Sequence, residues 1–307
     1  MSRPWHSTVP SAWILLALLV PLMSCGDQPS RRQADSKSLT QQEGTGSTNA
    51  ENRQSKNEPS PKAVPLSKWL KLLEDKNLEQ RLAALQAISN IGPEARAAVP
   101  LLQKLLESPE VEERKEALRA LSAIGPAAEQ AIPQVRKLLQ DSDADVQEWA
   151  CSTLGRIGES AKVAIPELEK IILNASVADK VRWAAAVALG NIGPAAVSAT
   201  PTLLKALRDS DPWLRWAATE GLAGIGPQAK GAAAALAEAL YDPEYIVRIG
   251  AARALVHLAP QVKEEPKVLA ALIRCYEDTS QFESVRKKIA EAIREVDPKM
   301  AAKLGIR

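Results

Sequence analysis

The tripeptide Ile-Gly-Pro, or a close variant of it, recurs at nearly constant spacing along most of this 307-residue chain. The copies lie at Ile91–Pro93, Ile124–Pro126, Ile157–Glu159, Ile192–Pro194, Ile225–Pro227 and Leu258–Pro260, so that successive copies begin 33, 33, 35, 33 and 33 residues apart. A fixed period of about 20 to 50 residues is typical of solenoids, in which each unit buries its apolar face against its neighbours. The spacing therefore predicts an array of small stacked units rather than one globular core.

Each unit is predicted to form two helices joined by a polar turn. The first segment has apolar residues at helical spacing and a proline in its first turn, where the missing N–H does no harm. One face of a second helix is predicted to hold Val181, Ala185, Ala188 and Leu189. The glycine that follows suits a helix end. Since the chain is rich in Ala and Leu and has only one Phe and three Tyr, the sequence predicts an all-α fold.

The unit resembles the HEAT repeat, in particular the HEAT-like subtype of phycobilisome lyases. The resemblance implies an α-solenoid of about seven helix pairs over residues 65–298, followed by a C-terminal tail, 299–307. It also implies a structural ladder between adjacent units, in which a turn aspartate meets an arginine of the second helix. The ladder positions in this sequence are Asp75, Arg81, Arg114, Arg182, Asp209, Arg215, Asp242 and Arg248. Ser108, Gln147 and a two-residue insertion in the fourth unit depart from this pattern, so a looser array is expected around units 3 and 4.

Two segments of different character precede the repeats. An apolar run at Ala12–Val20 is shorter than the roughly 20 residues of a stable membrane span and predicts a secretion signal over residues 1–25. The signal ends in Leu-Met-Ser-Cys, which resembles the bacterial lipobox and implies a lipid on Cys25; an ordinary cleaved signal with a chance cysteine is the alternative. Residues 26–64 have almost no apolar side chains and are predicted to be a disordered polar linker. We therefore expect a protein of the bacterial cell envelope, lipid-anchored to a membrane on its periplasmic side.

No constellation of residues predicts an enzyme. The formal net charge is +2 without a block of like charge, which argues against nucleic acid as a partner. The sequence lacks GxGxxG, P-loop and CxxC motifs, and its acidic residues fall in predicted turns and on solvated helix faces. His257 is expected at the surface, and Cys151 and Cys275, about four units apart, are expected to be unpaired. We predict no catalytic residue, no cofactor and no metal site.

The tryptophans predict a binding surface. Trp216 lies two residues after Leu214, about 200° around the helix, and is predicted to point away from the core. Trp183 occupies the same position one unit earlier, so an apolar ridge is expected on the second helices, which line the concave side of HEAT-type arrays. The predicted protein-binding residues are Trp183, Trp216, Ile249, Val187, Glu220 and Arg253, with Trp213 near the rim. Partial covering of the rings by adjacent repeats is the alternative.

The same surface is expected to be more charged toward the N-terminal units, where the lining residues are instead Leu82, Leu85, Lys115, Arg119 and Glu148. Together these features predict a membrane-tethered, non-enzymatic scaffold that binds a protein or peptide in the concave groove of the solenoid. The alternative is a lyase-like or chaperone-like subunit that assists an enzyme or a cofactor-bearing protein.

Overall fold

A computed structural model of the chain describes residues 64–306, and every regular element in this range is a helix. The predicted signal segment 1–25, the predicted lipidation site Cys25 and the predicted linker up to residue 63 lie outside the described residues. Within the described range the helices form seven successive pairs, each of which we call a unit. The predicted all-α solenoid is therefore confirmed for this part of the chain.

The units follow one another with short connections. Unit 1 contains α1 (Leu66–Leu72) and α2 (Leu78–Ile91), unit 2 α3 (Val99–Leu105) and α4 (Val111–Ile124), and unit 3 α5 (Ile132–Lys137) and α6 (Ala144–Ile157). Unit 4 contains α7 (Ile165–Leu173) and α8 (Asp179–Ile192), and unit 5 α9 (Thr200–Ala206) and α10 (Pro212–Ile225). Unit 6 contains α11 (Ala232–Ala239) and α12 (Tyr245–His257), and α13 (Ala259–Glu264) follows it. Unit 7 contains α14 (Pro266–Glu277) and α15 (Glu283–Val296), and α16 (Pro298–Lys303) ends the chain's described helices.

The recurring glycine is what separates one unit from the next. The second helices of units 1 to 5 each end at a glycine with φ between 71° and 81°, namely Gly92, Gly125, Gly158, Gly193 and Gly226. At Gly226 this φ is combined with a ψ of −153°, a conformation that only glycine adopts readily. A 3₁₀ segment follows each of these glycines and turns the chain into the next first helix, as in Gly193–Ala199. The Ile-Gly-Pro signal is therefore a helix stop followed by a tight turn.

The second helices form a continuous row in which each one contacts the second helix before it and the one after it. Small side chains allow this close stacking. The predicted buried face is found as expected, since Val181, Ala185, Ala188 and Leu189 are all buried. Between α8 and α10 the backbones themselves meet, because a β-carbon on Gly224 would lie only 2.1 Å from the carbonyl oxygen of Gly190. Gly224 is exposed, yet only glycine fits there.

An apolar stretch, Asp179–Ala206, is long and apolar enough to cross a membrane by length and composition alone. Gly193 divides it into α8 and α9, and half of its most apolar window is buried in the solenoid. This stretch supplies core to units 4 and 5.

The predicted C-terminal tail, 299–307, includes most of α16. This helix begins at Pro298, is capped by the side chain of Asp297 and buries Ala301.

Cys151 and Cys275 are both buried and form no disulfide. Burial raises the pKa of each thiol, so both favour the neutral form and behave as small apolar core residues.

Candidate partner-binding face

The second helices leave one side that neither the first helices nor their neighbours cover fully. We call this surface the second-helix face; its half-exposed residues are Lys115, Asp145, Glu148, Lys180, Trp183, Val187, Trp213, Glu220, Ile249 and Arg253. All the residues predicted from the sequence to bind a partner belong to this row of helices. The geometry of the face depends on the ladder that joins the units.

Largely buried arginines connect four of the six pairs of neighbouring units. The ladder pairs are Arg81–Glu113, Arg114–Asp141, Arg182–Asp209 and Arg215–Asp242. Arg215 donates two hydrogen bonds, of 2.7 and 2.8 Å, to the two carboxylate oxygens of Asp242 in the next unit. It also donates to the carbonyl oxygen of Asp209, in the turn of its own unit, at 3.0 Å. Each complete ladder arginine therefore ties its own turn to the following unit.

Two positions depart from this pattern inside the array. Ser108 replaces the usual turn aspartate, but Glu113 of α4 supplies the carboxylate and accepts hydrogen bonds from Arg81 and from the Ser108 hydroxyl. Burial alone would raise the pKa of Glu113, yet these hydrogen bonds and the charge of Arg81 lower it below its usual range. Gln147 donates only to the carbonyl oxygen of Asp141, at 2.6 Å. No ladder pair therefore joins unit 3 to unit 4.

The two ends of the ladder also differ from its middle. The carboxylate of Asp75 accepts from the backbone N–H of Asn77 at 2.8 Å, and its carbonyl oxygen accepts from Arg81 at 2.9 Å. Arg248 donates to the carbonyl oxygens of Asp242 and Pro243, at 2.7 and 2.9 Å. Within residues 64–306, however, it makes no ion pair, and its Nε is buried without an acceptor. The ladder thus stops at unit 6.

A group of ion pairs occupies the second-helix face where the ladder is interrupted. Asp145 of α6 pairs with Lys180 of α8, and its other oxygen lies 4.0 Å from Nζ of Lys115 on α4. Lys180 Nζ also lies 3.7 Å from the carboxylate of Glu148. Burial nevertheless raises the pKa of Glu148 to about 6. These four residues, which we call the charged cluster, connect the second helices of three successive units, α4, α6 and α8.

Three tryptophans in contact lie on α8 and α10. The ring centroids of Trp183 and Trp213 are 6.0 Å apart, and Trp213 meets Trp216 edge-on at 6.1 Å. The indole N–H of Trp183 donates to the carboxylate of Asp211, which also caps α10. Trp183 and Trp213, the tryptophan pair, are half-buried. They therefore keep part of each ring exposed while their positions are fixed by packing and by a hydrogen bond.

The prediction that Trp216 points away from the core is wrong, because this residue is only 3% exposed. It does lie opposite Leu214 on the helix, but α10 is packed between α8 and α12 as well as against α9. The ring fills space left by Gly250 of α12, where a β-carbon would lie 3.0 Å from Trp216 Cδ1. Trp216 is therefore part of the core between units 5 and 6.

The other predicted contact residues do not extend an apolar ridge. Val187 and Ile249 are half-buried and stand on either side of the buried Trp216 position. Glu220 and Arg253 form an ion pair of 3.2 Å, and burial raises the pKa of Glu220 although the charge of Arg253 opposes this. The exposed aromatic surface of this face is therefore concentrated at the tryptophan pair.

Trp213 holds a central position that its sequence context did not predict. Helical phase places it near the rim, whereas its ring lies between Trp183 and Trp216. The sequence does hold a signal for this position, because the Asp211-Pro212 pair before Trp213 is typical of a helix start. In the structure Asp211 caps the helix and accepts a hydrogen bond from the backbone N–H of Trp213 at 3.1 Å, which fixes this residue in the first turn. Because the same carboxylate receives the Trp183 indole, the cap also draws the two rings together.

The described fold is thus an α-solenoid of helix pairs joined by a ladder of arginines. A family model for HEAT repeats matches residues 66–131, 100–189 and 165–256. Because these matches together span more than half of the chain, it belongs to the HEAT-repeat family. No curated protein sequence matches the chain significantly.

Several solved structures share this architecture. An engineered protein of the Northeast Structural Genomics Consortium is 26% identical, with a TM-score of 0.53 over 75% of this chain and 68% of its own. Kap121p is 18% identical, with a TM-score of 0.55 over 78% of this chain and 28% of its own. The complex of CpcE and CpcF of phycocyanin lyase from Nostoc sp. PCC7120 is 19% identical, with a TM-score of 0.51 over 81% of this chain and 100% of its own. At identities of 18% and 19%, the similarity to Kap121p and to the lyase complex shows a common fold but does not show a common function.

Proposed function

We propose that this protein is a membrane-tethered, non-enzymatic scaffold whose second-helix face binds a protein or peptide. Membership of the HEAT-repeat family supports a protein partner, since such solenoids present extended surfaces for binding. The lipobox-like end at Cys25 supports a lipid anchor, and the polar segment 26–64 supports a spacer between membrane and solenoid. The balanced charge of +2 supports a partner other than nucleic acid.

The single observation that carries the binding proposal is the tryptophan pair beside the charged cluster. Half-exposed indoles offer a large contact area at a low cost in conformational entropy, and tryptophan is enriched among residues that dominate binding energy. Lys180 lies one turn before Trp183 on α8 and joins the two clusters along one helix. This arrangement fits a partner segment with an apolar anchor for the indoles and polar groups for the neighbouring charges.

Replacing either indole is expected to weaken partner binding. Trp213→Ala and Trp183→Ala should each cost about 1 kcal/mol or more of binding free energy, which is a fivefold or larger loss of affinity. The partner is first captured from envelope extract with the full chain and then purified. Isothermal titration of that partner against wild-type and variant chains gives the change in affinity.

A matched control comes from Val197, which is exposed on the 3₁₀ segment Gly193–Ala199, away from the second-helix face. Val197→Ala removes exposed apolar surface of the same unit and should leave the affinity unchanged. If both tryptophan variants bind the partner as tightly as the wild-type chain does, the second-helix face is not the binding site.

The membrane tether has a separate test at Cys25. Growth with a labelled fatty acid followed by membrane fractionation should show label on the wild-type chain and none on Cys25→Ala, which should leave the membrane fraction or remain unprocessed. Label that persists in the Ala variant, or its absence from the wild-type chain, would rule out lipid at this cysteine.

The alternative, a lyase-like or chaperone-like subunit, makes a different prediction. This alternative is supported by the fold that the chain shares with the phycocyanin lyase complex. Such a subunit would bind a cofactor or a cofactor-bearing protein, so adding a bilin to the full chain should change the bilin absorbance spectrum. A spectrum that stays unchanged over the titration favours the scaffold.

A further inference from the structure

Three exposed aromatic side chains occur in units 6 and 7. The chain has one phenylalanine and three tyrosines. Phe282 is 59% exposed, and Tyr245 and Tyr241 are each 51% exposed. No other aromatic residue within 64–306 is as exposed as these three. Phenylalanine is normally among the most buried residue types, so the exposure of the chain's one phenylalanine is unusual and indicates an interaction surface.

Part of the reason is structural and lies in the ladder. Phe282 ends the turn between α14 and α15, where its ring centroid lies 5.8 Å from the guanidinium carbon of Arg248. Arg248 is the ladder arginine of unit 6, and its guanidinium contacts this ring where Arg215 of unit 5 instead pairs with a carboxylate of the next unit. The inner face of Phe282 therefore covers a cation already. This contact accounts for the position of the ring but not for the surface that it leaves exposed.

Tyr245 of α12 enlarges the exposed surface. Its ring centroid lies 5.6 Å from that of Phe282, with the planes inclined at 60°. The two rings come from the turns of neighbouring units, and neighbouring helices in packed arrays lie about 10 Å apart. Two to four residues of an extended chain, at about 3.3 Å each, span this distance. The rings can therefore contact one short segment together.

The residues that directly flank the two rings in sequence include two exposed carboxylates. Glu244 precedes Tyr245 and Glu283 follows Phe282; both carboxylates are exposed and neither makes an ion pair within the described range. Glu277 is exposed at the end of α14 as well. Exposed cations also belong to unit 7, among them Arg274, on α14 near Tyr241, and Lys287, four residues after Glu283 on α15. We define Glu244, Tyr245, Phe282 and Glu283 as the turn-edge patch, which is aromatic at its centre and acidic at its margins.

We propose that the turn-edge patch binds an extended, cationic segment of a partner protein. A lysine or arginine side chain lies against the outer surface of the rings, as Arg248 lies against the inner face of Phe282, and its charge is balanced by Glu244 and Glu283. Proline or aliphatic residues between the cationic ones pack on Tyr245. This proposal does not rest on the function proposed for the second-helix face.

Three labelled peptides of four dipeptide repeats test the proposal: Pro-Arg, Pro-Gln and Pro-Glu. Fluorescence anisotropy with the purified full chain is expected to show the Pro-Arg peptide binding about tenfold more tightly than the Pro-Gln peptide, with Pro-Glu weakest. Phe282→Ala should reduce the affinity for the Pro-Arg peptide about fivefold or more. The double variant Glu244→Gln, Glu283→Gln removes charge without removing packing, and it should bring the Pro-Arg affinity close to that of Pro-Gln.

Two control variants define the site. Leu173→Ala removes an apolar side chain that is 48% exposed at the end of α7 in unit 4, and it should leave the peptide affinity unchanged. Trp183→Ala should also leave it unchanged, which separates this patch from the second-helix face. Equal binding of the Pro-Arg and Pro-Gln peptides overturns the proposal. So does a Phe282→Ala chain that unfolds more easily yet binds the Pro-Arg peptide as the wild type does, since the ring then serves only to cover Arg248.

Discussion

Trp216→Ala is expected to lower the free energy of unfolding by about 3–5 kcal/mol, the usual cost of truncating a buried tryptophan. The ring packs edge-on against Trp213 and fills the space that Gly250 leaves on α12. Its removal leaves a cavity between units 5 and 6 that a glycine cannot fill. Urea unfolding of the full chain, followed by far-UV circular dichroism of its helices, measures the loss.

Trp213→Ala is the matched control, because it removes the same side chain from the neighbouring, half-exposed position. Its cost should be clearly smaller, and its main effect should fall on partner binding. Equal unfolding midpoints for wild-type and Trp216→Ala chains would mean that the Trp216 ring contributes no core contacts, and the packing described for units 5 and 6 would then be incorrect.

The error over Trp216 has a specific physical cause. Periodicity along one helix separates a face that contacts the first helix of the same unit from the opposite face, and on that basis Trp216 lies opposite Leu214. A second helix in this array has two further neighbours, the second helices before and after it. Whether a large side chain is buried between them depends on the residue it faces across the gap, here Gly250, which lies 34 positions later. Helical phase carries no information on that distant residue.

Asp242→Ala is expected to destabilise the chain by about 3–5 kcal/mol, the usual result of removing one partner of a buried ion pair. The side chains of Arg215 and Asp242 are only 12% and 9% exposed, so the guanidinium would remain buried without its carboxylate. Asp242 also accepts from the backbone N–H of Glu244 at 2.9 Å, and this contact is lost as well. The same urea unfolding experiment measures the change.

Glu238→Ala in the same unit provides the control. Glu238 lies 3.5 Å from Arg208, but these side chains are 73% and 77% exposed, and such pairs contribute about 0–1 kcal/mol. Adding Arg215→Leu to Asp242→Ala should recover part of the lost stability, because no charge then stays buried alone. If Asp242→Ala and Glu238→Ala unfold at the same urea concentration, the ladder does not stabilise the array.

Much of the fold follows from local rules that the sequence displays. The glycine that ends each second helix, the proline that starts the next first helix and the alanine-rich buried face all act within one unit, so a single repeat reveals them. The substitution of Glu113 for a turn aspartate lies beyond such rules. When Ser108 is compared with the turn aspartates of other units, the ladder carboxylate is absent from its expected position. The carboxylate is supplied instead by Glu113, five residues later on α4. The exposed Phe282 is a comparable case, since its role depends on Arg248 of the preceding unit.

The charged cluster makes one end of the second-helix face responsive to ionic strength. Lys180 and Asp145 are 30% and 50% exposed, and dissolved salt screens such charges over a distance of about 8 Å at physiological concentration. Arg114 and Asp141, at the preceding junction, are 11% and 8% exposed and are largely shielded from that screening. Added salt therefore weakens the exposed ion pairs of the charged cluster and leaves this ladder pair largely unaffected. The helices themselves stay closely packed, because a β-carbon on Gly155 of α6 would already lie 3.0 Å from Cα of Ala188 on α8. The ionic composition outside the protein thus changes the charge that this end of the second-helix face presents, and not its shape.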